Sequence, residues 1–324
     1  MKATKPLASV SLDLDDLWTY LRTRGDSRWE AHPSYLPTFV PLALDMFERL
    51  NLQLTFFIVG ADAVRSANLP YLRAITERGH ELGNHSFSHD CSLSRYPANE
   101  MESEIVRAED AITSATGQRP KGFRGPGFGW SPELLEILGR RGYLYDGSTL
   151  PTFIGPLARW YFFARSGLNS EERRKREGLY GELRDGFRPI KPYRWQLRGG
   201  TQLLEIPVTT LPVARLPFHM SYLLYVSRIS PSLMFGYLRG AVKACLAMGI
   251  QPSFLLHPLD LLGPEQAPGL SFFPAMDLPG AKKRHLVVQV LQTLAEAFRL
   301  VPMAHHAGAI LAAGRLPERT PAFA

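Results

Sequence analysis

The feature that most restricts the possible folds is the regular alternation of strand-like and helix-like segments from Ala8 to Tyr145. Short apolar runs are followed by segments whose apolar residues have helical spacing. Parallel α/β folds have this order, because a helix crosses over between two parallel strands. One α/β barrel with insertions accommodates the 324 residues. The pattern predicts strands at residues 8–14, 52–59, 80–82, 122–124, 143–145, 203–208 and 252–256.

The helical segments leave two stretches without a regular pattern. Residues 18–35 are predicted to form a long loop, and the alternation stops at Pro151 and resumes at Leu203. We therefore predict one barrel from residues 1–150 and 201–313, an insert at 151–200 and a flexible tail at 314–324. Helices are predicted at residues 36–50, 70–78, 100–116, 231–248 and 285–298, with a further helix that starts at Ser131 and Pro132.

The insert at 151–200 has an unusual composition. It contains eleven Lys or Arg and five Asp or Glu, so it carries most of the formal net charge of +7, and nine aromatic residues are interleaved with them. Basic and aromatic residues together suit an anionic membrane surface, so we interpret the insert as a membrane-surface or substrate-binding cap. A solvated loop that only covers the barrel is the alternative. Nucleic-acid binding is not expected, because no known nucleic-acid motif accompanies the charge.

The cysteines and the N-terminus indicate the expected compartment. Cys91 and Cys245 form no C-x-x-C pair, which favours reduced thiols in a cytosolic protein. The first residues lead directly into a strand, without the pattern of a cleavable signal peptide. No apolar run reaches the roughly 20 residues of a spanning helix. A cytoplasmic location is expected, peripheral on the inner face of the membrane if the insert binds lipid.

His85 and His89 are the first candidate metal ligands. They lie in the run Gly-His-Glu-Leu-Gly-Asn-His-Ser-Phe-Ser-His at residues 79–89. On a helical turn, side chains four residues apart share a face, and imidazole nitrogen is a favoured ligand of zinc and a ligand of cobalt, nickel or iron. Histidines at this spacing also occur in loops where they only form hydrogen bonds. A metal site therefore requires a third ligand elsewhere in the chain.

The acidic run Asp13-Leu14-Asp15-Asp16 follows the first predicted strand and offers that ligand. On an extended chain Asp13 and Asp15 point to the same side. One carboxylate can bind a metal while the other acts as a base, because water near a dication is acidified enough to be deprotonated. Two solvated acids at a strand end are the alternative.

Together these segments resemble the polysaccharide deacetylases of the NodB-homology type, carbohydrate esterase family four. The family's His-Ser/Thr-x-x-His motif is matched by residues 85–89. Its acidic motif is matched by residues 11–16, in the variant where one residue separates the two acids. The resemblance implies an α/β fold of the family type, a distorted (β/α)7 barrel, here with a basic aromatic insert.

The resemblance also implies roles for the acids and histidines. Asp13 would be the general base, and the metal would be bound by Asp15, His85 and His89. Zn²⁺ is the expected ion, with Co²⁺ or Ni²⁺ as other divalent candidates. Asp16 departs from the common form, in which the two acids are adjacent and a glycine follows. A register with Asp15 as the base and Asp16 as a ligand therefore stays open.

Three further motifs of the family are matched in this sequence, two of them well and one poorly. Arg124, in Phe-Arg-Gly-Pro-Gly-Phe-Gly-Trp, would hold the base ionised and oriented. His257, in Leu-Leu-His, would be the general acid that protonates the leaving amine. The fourth motif is poorly matched, since Asp-x-x-Asp-Trp is absent and Asp146 is only a pocket residue without an assigned role. A structural role is expected for His80, His219, His305 and His306.

The expected activity is a metal-dependent hydrolysis that removes an N-acyl group, acetyl or formyl, from an amidosugar in a glycan or a lipid-linked sugar. A backbone N–H near Ser88 or His89 is expected to help bind the developing oxyanion. One alternative is a metal-dependent amidohydrolase of small cyclic amides or ureides. Another is a carbohydrate- or lipid-binding barrel without catalysis. The sequence specifies neither the sugar nor the oligomeric state.

Overall fold

The computed structural model describes residues 5–166, 168–175 and 181–321 and contains a mixed, mostly parallel β-sheet. Ten strands are present in these ranges. They are Leu7–Leu14 (β1), Thr55–Ile58 (β2), Glu81–Asn84 (β3), Gly122–Phe123 (β4), Tyr145–Asp146 (β5), Tyr193–Gln196 (β6), Gln202–Glu205 (β7), Ser253–Leu256 (β8), Arg299–Val301 (β9) and Glu318–Arg319 (β10).

Seven of the strands form a parallel series in the order β7-β5-β4-β3-β2-β1-β8. The two ends of this series approach each other, because the N–H of Thr209, in the chain leaving β7, donates to the carbonyl of Ser253 in β8 at 3.1 Å. The sheet is therefore closed by a narrow contact between its ends. This α/β arrangement is consistent with the predicted distorted (β/α)7 barrel. Strand β9 adds to β1 in parallel.

The helices described in these ranges pack mainly around the outside of the sheet. They are Leu17–Arg24 (α1), Leu36–Arg49 (α2), Gly60–Ala63 (α3), Leu69–Glu77 (α4), Ala98–Thr116 (α5), Pro132–Arg140 (α6), Gly155–Ser166 (α7), Ser170–Lys175 (α8), Met220–Ser227 (α9), Pro231–Ala247 (α10), Gly280–Ala297 (α11) and Met303–Ala312 (α12). The expected N-cap of α6 is confirmed, because Ser131 Oγ accepts from Leu134 N at 3.2 Å. None of the described helices is long and apolar enough to cross a bilayer.

The core lies between this helical layer and the sheet. Strand β1 is buried on both faces apart from its first residue, as expected for a central parallel strand. On α2, Phe39, Val40, Ala43 and Phe47 are buried at helical spacing and belong to the same core cluster as β1. The packing fixes the strands from outside, so that their carboxyl ends meet at one rim of the sheet.

That rim carries the candidate functional residues. Asp15 follows β1 directly, His85 follows β3, Arg124 follows β4 and His257 follows β8. Parallel strands present their carboxyl ends on the same side of a barrel, where active sites of such folds are found. Residues separated by more than 240 positions in the sequence are brought together in this way.

The prediction of a long loop at residues 18–35 is wrong. Helix α1 and a 3-10 helix at Ser27–Ala31 occupy this stretch. The four consecutive residues Trp18, Thr19, Tyr20 and Leu21 are all buried, so the segment has no amphipathic period by which to detect a helix. The start of α1 is fixed by Asp16, whose side chain accepts from Leu17 N at 2.7 Å.

The predicted insert contains helices α7 and α8 and strand β6, while its residues 167 and 176–180 lie outside the described ranges. Strand β6 pairs antiparallel with β7, and alternate residues Tyr193 and Trp195 are buried. This two-residue alternation is too short to stand out in the sequence. Within the predicted flexible tail, Glu318 and Arg319 form β10 and pair with β6, so this part of the tail is held by the sheet.

Candidate active site

Asp15, His85 and His89 form a buried cluster at the rim of the sheet. One ligand atom from each residue lies within 4.8 Å of the others. Asp15 Oδ1 is 3.0 Å from Nε2 of His89 and 3.4 Å from Nε2 of His85. The hydroxyl of Tyr35 donates to the carbonyl of Asp15 and holds this residue from behind. The structure thus brings together the three predicted metal ligands.

The chemistry of the three side chains fits a divalent metal ion. The carbonyl of Arg124 lies 2.6 Å from Nδ1 of His85, and since a carbonyl only accepts, Nδ1 carries the proton. Nε2 of His85 is then left with its lone pair toward Asp15, as is typical of a metal-ligating histidine. Asp15 Oδ1 is buried, and among the described residues its polar neighbours are the Nε2 atoms of His85 and His89, not a backbone or hydroxyl donor. A dication satisfies both the carboxylate and the two imidazoles.

The pKa values agree with a cation-binding carboxylate. Burial by itself raises the pKa of Asp15, but the positive charges and hydrogen bonds of His89 and His85 hold it well below its usual value. Burial lowers the pKa of His85, yet the hydrogen bond to Asp15 and the charges of Asp13 and Asp15 leave it raised. The cluster is therefore an anionic site that attracts either protons or a metal ion.

The two histidines lie on a loop, not on a helical turn as first interpreted. Ser86 and His89 have φ values of 61° and 52°, a left-handed conformation that costs a non-glycine residue about 1–2 kcal/mol. Local hydrogen bonds hold the loop, since Asn84 Oδ1 accepts from Ser86 N at 2.8 Å and Ser86 Oγ accepts from His89 N at 3.1 Å. The imidazole rings consequently lie with their centroids 4.9 Å apart.

The expected oxyanion donors in this loop are already engaged. Ser88 N donates to Glu104 Oε2 at 2.8 Å, and His89 N donates to Ser86 Oγ. Both N–H groups therefore stabilise the loop and are not directed at a substrate. This part of the expected mechanism is wrong, because the left-handed turn directs these N–H groups to side chains of the protein.

Asp13 and Arg124 form a buried ion pair beside the cluster. Arg124 is 0% exposed, and its Nη1 donates to Asp13 Oδ1 at 2.6 Å and to Ser11 Oγ at 2.9 Å. Its Nε donates to the carbonyl of Gly147 at 3.0 Å. The guanidinium also lies over the ring of Phe57, 4.3 Å from the centroid. These contacts place Arg124 where the sequence predicted it, against the candidate base.

His257 lies on the other side of Asp13. Its Nε2 is 4.0 Å from Asp13 Oδ2, and its Nδ1 is 3.1 Å from Ser221 Oγ and 3.9 Å from Asp260 Oδ2. Burial by itself lowers the pKa of His257, but the hydrogen bonding and charge of Asp260, with the charge of Asp13, raise it to about 9. The imidazole is thus held in its protonated form near neutral pH.

A cavity of about 230 Å³ lies above these residues. Its floor contains Asp13 and His257 and the three cluster residues. Its walls are mostly apolar or aromatic and come from four separate segments. They are Thr19, Tyr20 and Thr23 on α1; Gly127 and Phe128 after β4; Ala158 and Phe162 on α7; and Phe272, Phe273 and Pro274 after β8. Cys91, on the same loop as the histidines, also lines the cavity. The geometry is that of a polar floor enclosed by apolar walls.

Comparison with known proteins identifies the segment that carries most of this site. Residues 3–145 match the model of the polysaccharide deacetylase family, and this range includes Asp13, Arg124 and the three cluster residues. This segment belongs to the polysaccharide deacetylase family. The resemblance drawn from the sequence motifs is thereby confirmed, and His257 joins the candidate site from outside the matched range.

Curated relatives of the deacetylase segment match over part of their length. A peptidoglycan-N-acetylglucosamine deacetylase from Bacillus cereus is 32% identical over 88 residues, which cover 27% of this chain and 31% of that protein. A chitooligosaccharide deacetylase from Sinorhizobium fredii is 32% identical over 124 residues, 36% of this chain and 56% of that protein. The chain therefore spans less than two thirds of the length of either relative.

A solved structure resembles the whole chain. A proposed polysaccharide deacetylase from Mycobacterium smegmatis superposes with a TM-score of 0.63 at 16% identity, covering 100% of this chain and 96% of that one. At this identity the likeness shows the fold alone. It extends the shared architecture beyond residue 145 to the segments that carry His257.

Asp16 has a structural position next to the candidate site. Besides capping α1, its Oδ1 accepts from Tyr35 N at 2.9 Å. Burial raises the pKa of Asp16 to about 6. The cluster of possible ligands contains Asp15 and not Asp16. This geometry favours the register with Asp13 as base and Asp15 as ligand over the alternative that the sequence left open.

Asp146 lies beneath the site and does not line the cavity. It is buried, accepts from Ser148 Oγ at 2.6 Å, and neighbours the buried Glu205. Burial and the charge of Glu205 raise the pKa of Asp146 well above its usual value. Ser148 Oγ in turn accepts from Gly125 N at 2.8 Å, so the pair supports the loop after Arg124. A Cβ at Gly125 would overlap the carbonyl oxygen of Gly129, which explains the glycine there.

The four histidines with an expected structural role lie outside the cluster. His80 Nδ1 accepts from Leu54 N at 3.2 Å, and His306 contacts Ser9 Oγ and Gln251. His305 is exposed and contacts Arg299. His219 packs beside His257, with ring centroids 6.4 Å apart, and does not line the cavity.

Sequence reasoning missed Asp260 and Ser221. Asp260 is 0% exposed, and its Oδ2 accepts from His257 N at 2.8 Å. The signal was present in the run Leu-Leu-His-Pro-Leu-Asp. His257 is followed by a proline and, three residues later, by Asp260, and this pattern is typical of the start of a helical turn that the acid caps. Ser221 comes from α9 and gave no comparable signal, since only the packing of α9 against β8 brings it to the imidazole.

Proposed function

We propose that this protein is a divalent-metal-dependent N-deacylase that removes an acetyl or formyl group from an amidosugar. The observation that carries this proposal is the position of Asp13 and His257. They face each other across 4.0 Å on the floor of one cavity, beside the three candidate metal ligands. A base, an acid and a cation site within one cavity are what amide hydrolysis at neutral pH requires.

Asp13 acts as the base. Arg124 donates to Oδ1 and so orients the carboxylate, with Oδ2 on the side of His257. The chemistry supplied by a divalent ion held at Asp15, His85 and His89 is Lewis acidity toward a carbonyl oxygen and a lowered pKa of water. Asp13 takes one proton as the oxygen of water adds to the amide carbon.

His257 acts as the acid. Breaking the carbon–nitrogen bond leaves a nitrogen that must gain a proton, and the protonated imidazole of His257 lies on the cavity floor beside Asp13. Its Nε2 faces Asp13 and the cavity, while Nδ1 is held by Ser221 and lies near Asp260. The products are a carboxylate and a free amine on the sugar. Asp260 and Ser221 are positioning residues in this scheme, since they act through His257.

Two of the curated relatives suggest the substrate class to test first. The B. cereus relative is a peptidoglycan-N-acetylglucosamine deacetylase and the S. fredii relative is a chitooligosaccharide deacetylase. Both names specify an N-acetylated amidosugar. The purified protein should therefore be assayed for acetate release from chitooligosaccharides and peptidoglycan, and for formate release from an N-formyl amidosugar, with and without added Zn²⁺, Co²⁺ or Ni²⁺.

The same assay separates the alternatives. Release of acid from an amidosugar that is lost in Asp13→Asn supports the proposal. Turnover of a small cyclic amide or ureide, with no release from any sugar, would assign the site to that chemistry instead. Binding of a glycan with no turnover, unchanged by Asp13→Asn, would identify a non-catalytic barrel.

A further inference from the structure

Helix α7 has two faces with different surroundings. Ala158 and Phe162, four residues apart, line the wall of the active-site cavity. Leu157 and Trp160, three residues apart, point away from it and are 63% and 66% exposed. Residues at these spacings share a helix face, so one side of α7 closes the cavity and the other presents large apolar groups to solvent.

The exposed face continues into the short 3-10 helix Leu183–Phe187. Leu183 and Phe187 are 58% and 78% exposed. Two contacts connect the segment that carries this 3-10 helix with α7 and the residues just before α7. Arg159 Nη1 on α7 donates to the carbonyl of Gly181 at 3.0 Å, and the ring of Phe153, two residues before α7, packs edge-on against Phe187 at 5.0 Å. We call Leu157, Trp160, Leu183 and Phe187 the α7 patch.

Basic residues adjoin the α7 patch. Helix α8 carries Arg173 and Arg174, both exposed, and Arg173 Nη2 donates to the carbonyl of Phe163 on α7 at 3.3 Å. Arg184 lies between the two apolar residues of the 3-10 helix, with its side chain 77% exposed and paired with Glu182 at 2.8 Å. Large apolar groups flanked by arginines are the composition of a surface that rests on anionic lipid.

We propose that the α7 patch docks on an anionic lipid surface and that the amidosugar enters the cavity while it is attached to a lipid. This inference rests on the proposed function and specifies its substrate as membrane-borne. Two properties favour lipid over an anionic polymer. The four apolar side chains gain nothing from a polyanion, and the cavity beneath α7 has walls of aromatic and apolar residues that suit an apolar chain next to the sugar.

The test is flotation of the intact 324-residue chain with vesicles of phosphatidylglycerol and phosphatidylethanolamine, compared with phosphatidylcholine vesicles. Binding to the anionic vesicles at low salt, and weaker binding at high salt, is expected. Leu157→Ser/Trp160→Ser should weaken binding by about tenfold or more. Arg174→Ser/Arg184→Ser should weaken it by up to about fivefold for each arginine.

The matched control is Leu246→Ser/Met248→Ser. These residues are 43% and 44% exposed at the end of α10, which precedes the amino end of β8 and so lies at the opposite rim of the barrel. This variant should bind vesicles like the unmodified protein. If the serine variants do not fold, quenching of Trp160 fluorescence by brominated phospholipids, with Trp160→Phe as the reference, measures the same insertion in the intact protein.

Three outcomes would overturn the docking proposal. One is the absence of flotation with anionic vesicles at low salt. Another is equal loss of binding in the control and in Leu157→Ser/Trp160→Ser. The third is association of the protein with itself through Leu157 and Trp160, which would assign the patch to a second copy. Flotation requires no turnover, so its failure leaves the proposed deacylation standing, and loss of acyl release leaves the docking result standing.

Discussion

Arg124 and Asp13 share a buried hydrogen bond of 2.6 Å that fixes one oxygen of the candidate base. The other oxygen of Asp13 lies 4.0 Å from Nε2 of His257. Because the guanidinium of Arg124 donates to Oδ1, it orients the carboxylate without occupying Oδ2. The geometry places the candidate base and the candidate acid side by side in the same cavity.

The ion pair between Asp13 and Arg124 predicts how substitutions at these two positions change the free energy of unfolding. Arg124→Met should lower the free energy of unfolding by about 3–5 kcal/mol, because it leaves the charge of Asp13 buried and unpaired. Adding Asp13→Asn should restore part of this loss, since the neutral amide no longer requires a cation. Urea denaturation of the two single variants and the double variant measures the coupling. Strictly additive losses would show that the two side chains do not act as a pair.

Asp13→Asn should separate catalysis from metal binding. The amide keeps the shape of the carboxylate but cannot accept a proton, so turnover should fall by about 10²–10⁴-fold. The three ligands are untouched, so the metal content measured by mass spectrometry should equal that of the unmodified protein. The same comparison applies to His257→Ala. Full activity of either variant would contradict its assigned role.

Removal of one metal ligand should abolish metal binding as well as activity. His89→Ala deletes an imidazole 3.0 Å from Asp15 and should abolish both the bound divalent ion and the activity. Treatment with a chelator should also abolish activity, and addition of a divalent ion should restore it. His305→Ala is the matched control, because His305 is exposed and lies outside the cluster. Retention of a tightly bound metal in His89→Ala would exclude this ligand set.

The environment of His257 predicts the alkaline side of the pH profile. Its pKa is raised to about 9 by Asp260 and Asp13, and the acid must be protonated to act, so kcat/KM should fall as the pH rises through this pKa. A bound cation adds positive charge nearby and moves the fall to lower pH. Asp260→Asn removes the negative charge that stabilises the imidazolium, so it should shift the fall to still lower pH.

The control for that shift is Asp277→Asn. Asp277 pairs with Arg228 at the surface. Asp277→Asn therefore changes the net charge by the same amount as Asp260→Asn, but away from the imidazole. Its pH profile should match that of the unmodified protein. Identical profiles for Asp260→Asn and Asp277→Asn would remove Asp260 from its positioning role.

His306 predicts how stability depends on pH. It is 0% exposed, and burial lowers its pKa from 6.5 to about 4. The unfolded chain therefore binds the proton more readily below pH 6.5, and stability falls as the pH drops from 6.5 to about 4, where the loss is complete. The contribution is about 3 kcal/mol. His306→Gln should show a correspondingly shallower acid dependence in denaturant titrations, and an unchanged slope would contradict this explanation.

Much of the barrel could be predicted from the sequence because its signals are local. The run Leu-Gln-Leu-Thr-Phe-Phe-Ile-Val contains β2, and the Ser131-Pro132 pair starts α6. Helix α1 could not be predicted in this way, because four consecutive buried residues have no period. Strand β6 was also missed, since it is defined by its pairing with β7 rather than by its four residues.

For the site, the sequence by itself determined which residue types were present at motif spacing: Asp13, Asp15, His85, His89, Arg124 and His257. Only the tertiary structure decided how they meet. The parallel strands place their carboxyl ends at one rim, and the left-handed loop at Ser86 and His89 turns both imidazoles toward Asp15. Asp15 and Asp16 are the same residue type at neighbouring positions, so the sequence alone does not distinguish their roles. They differ in the structure because one carboxylate caps a helix and the other faces two histidines, and that depends on contacts between residues far apart in the chain.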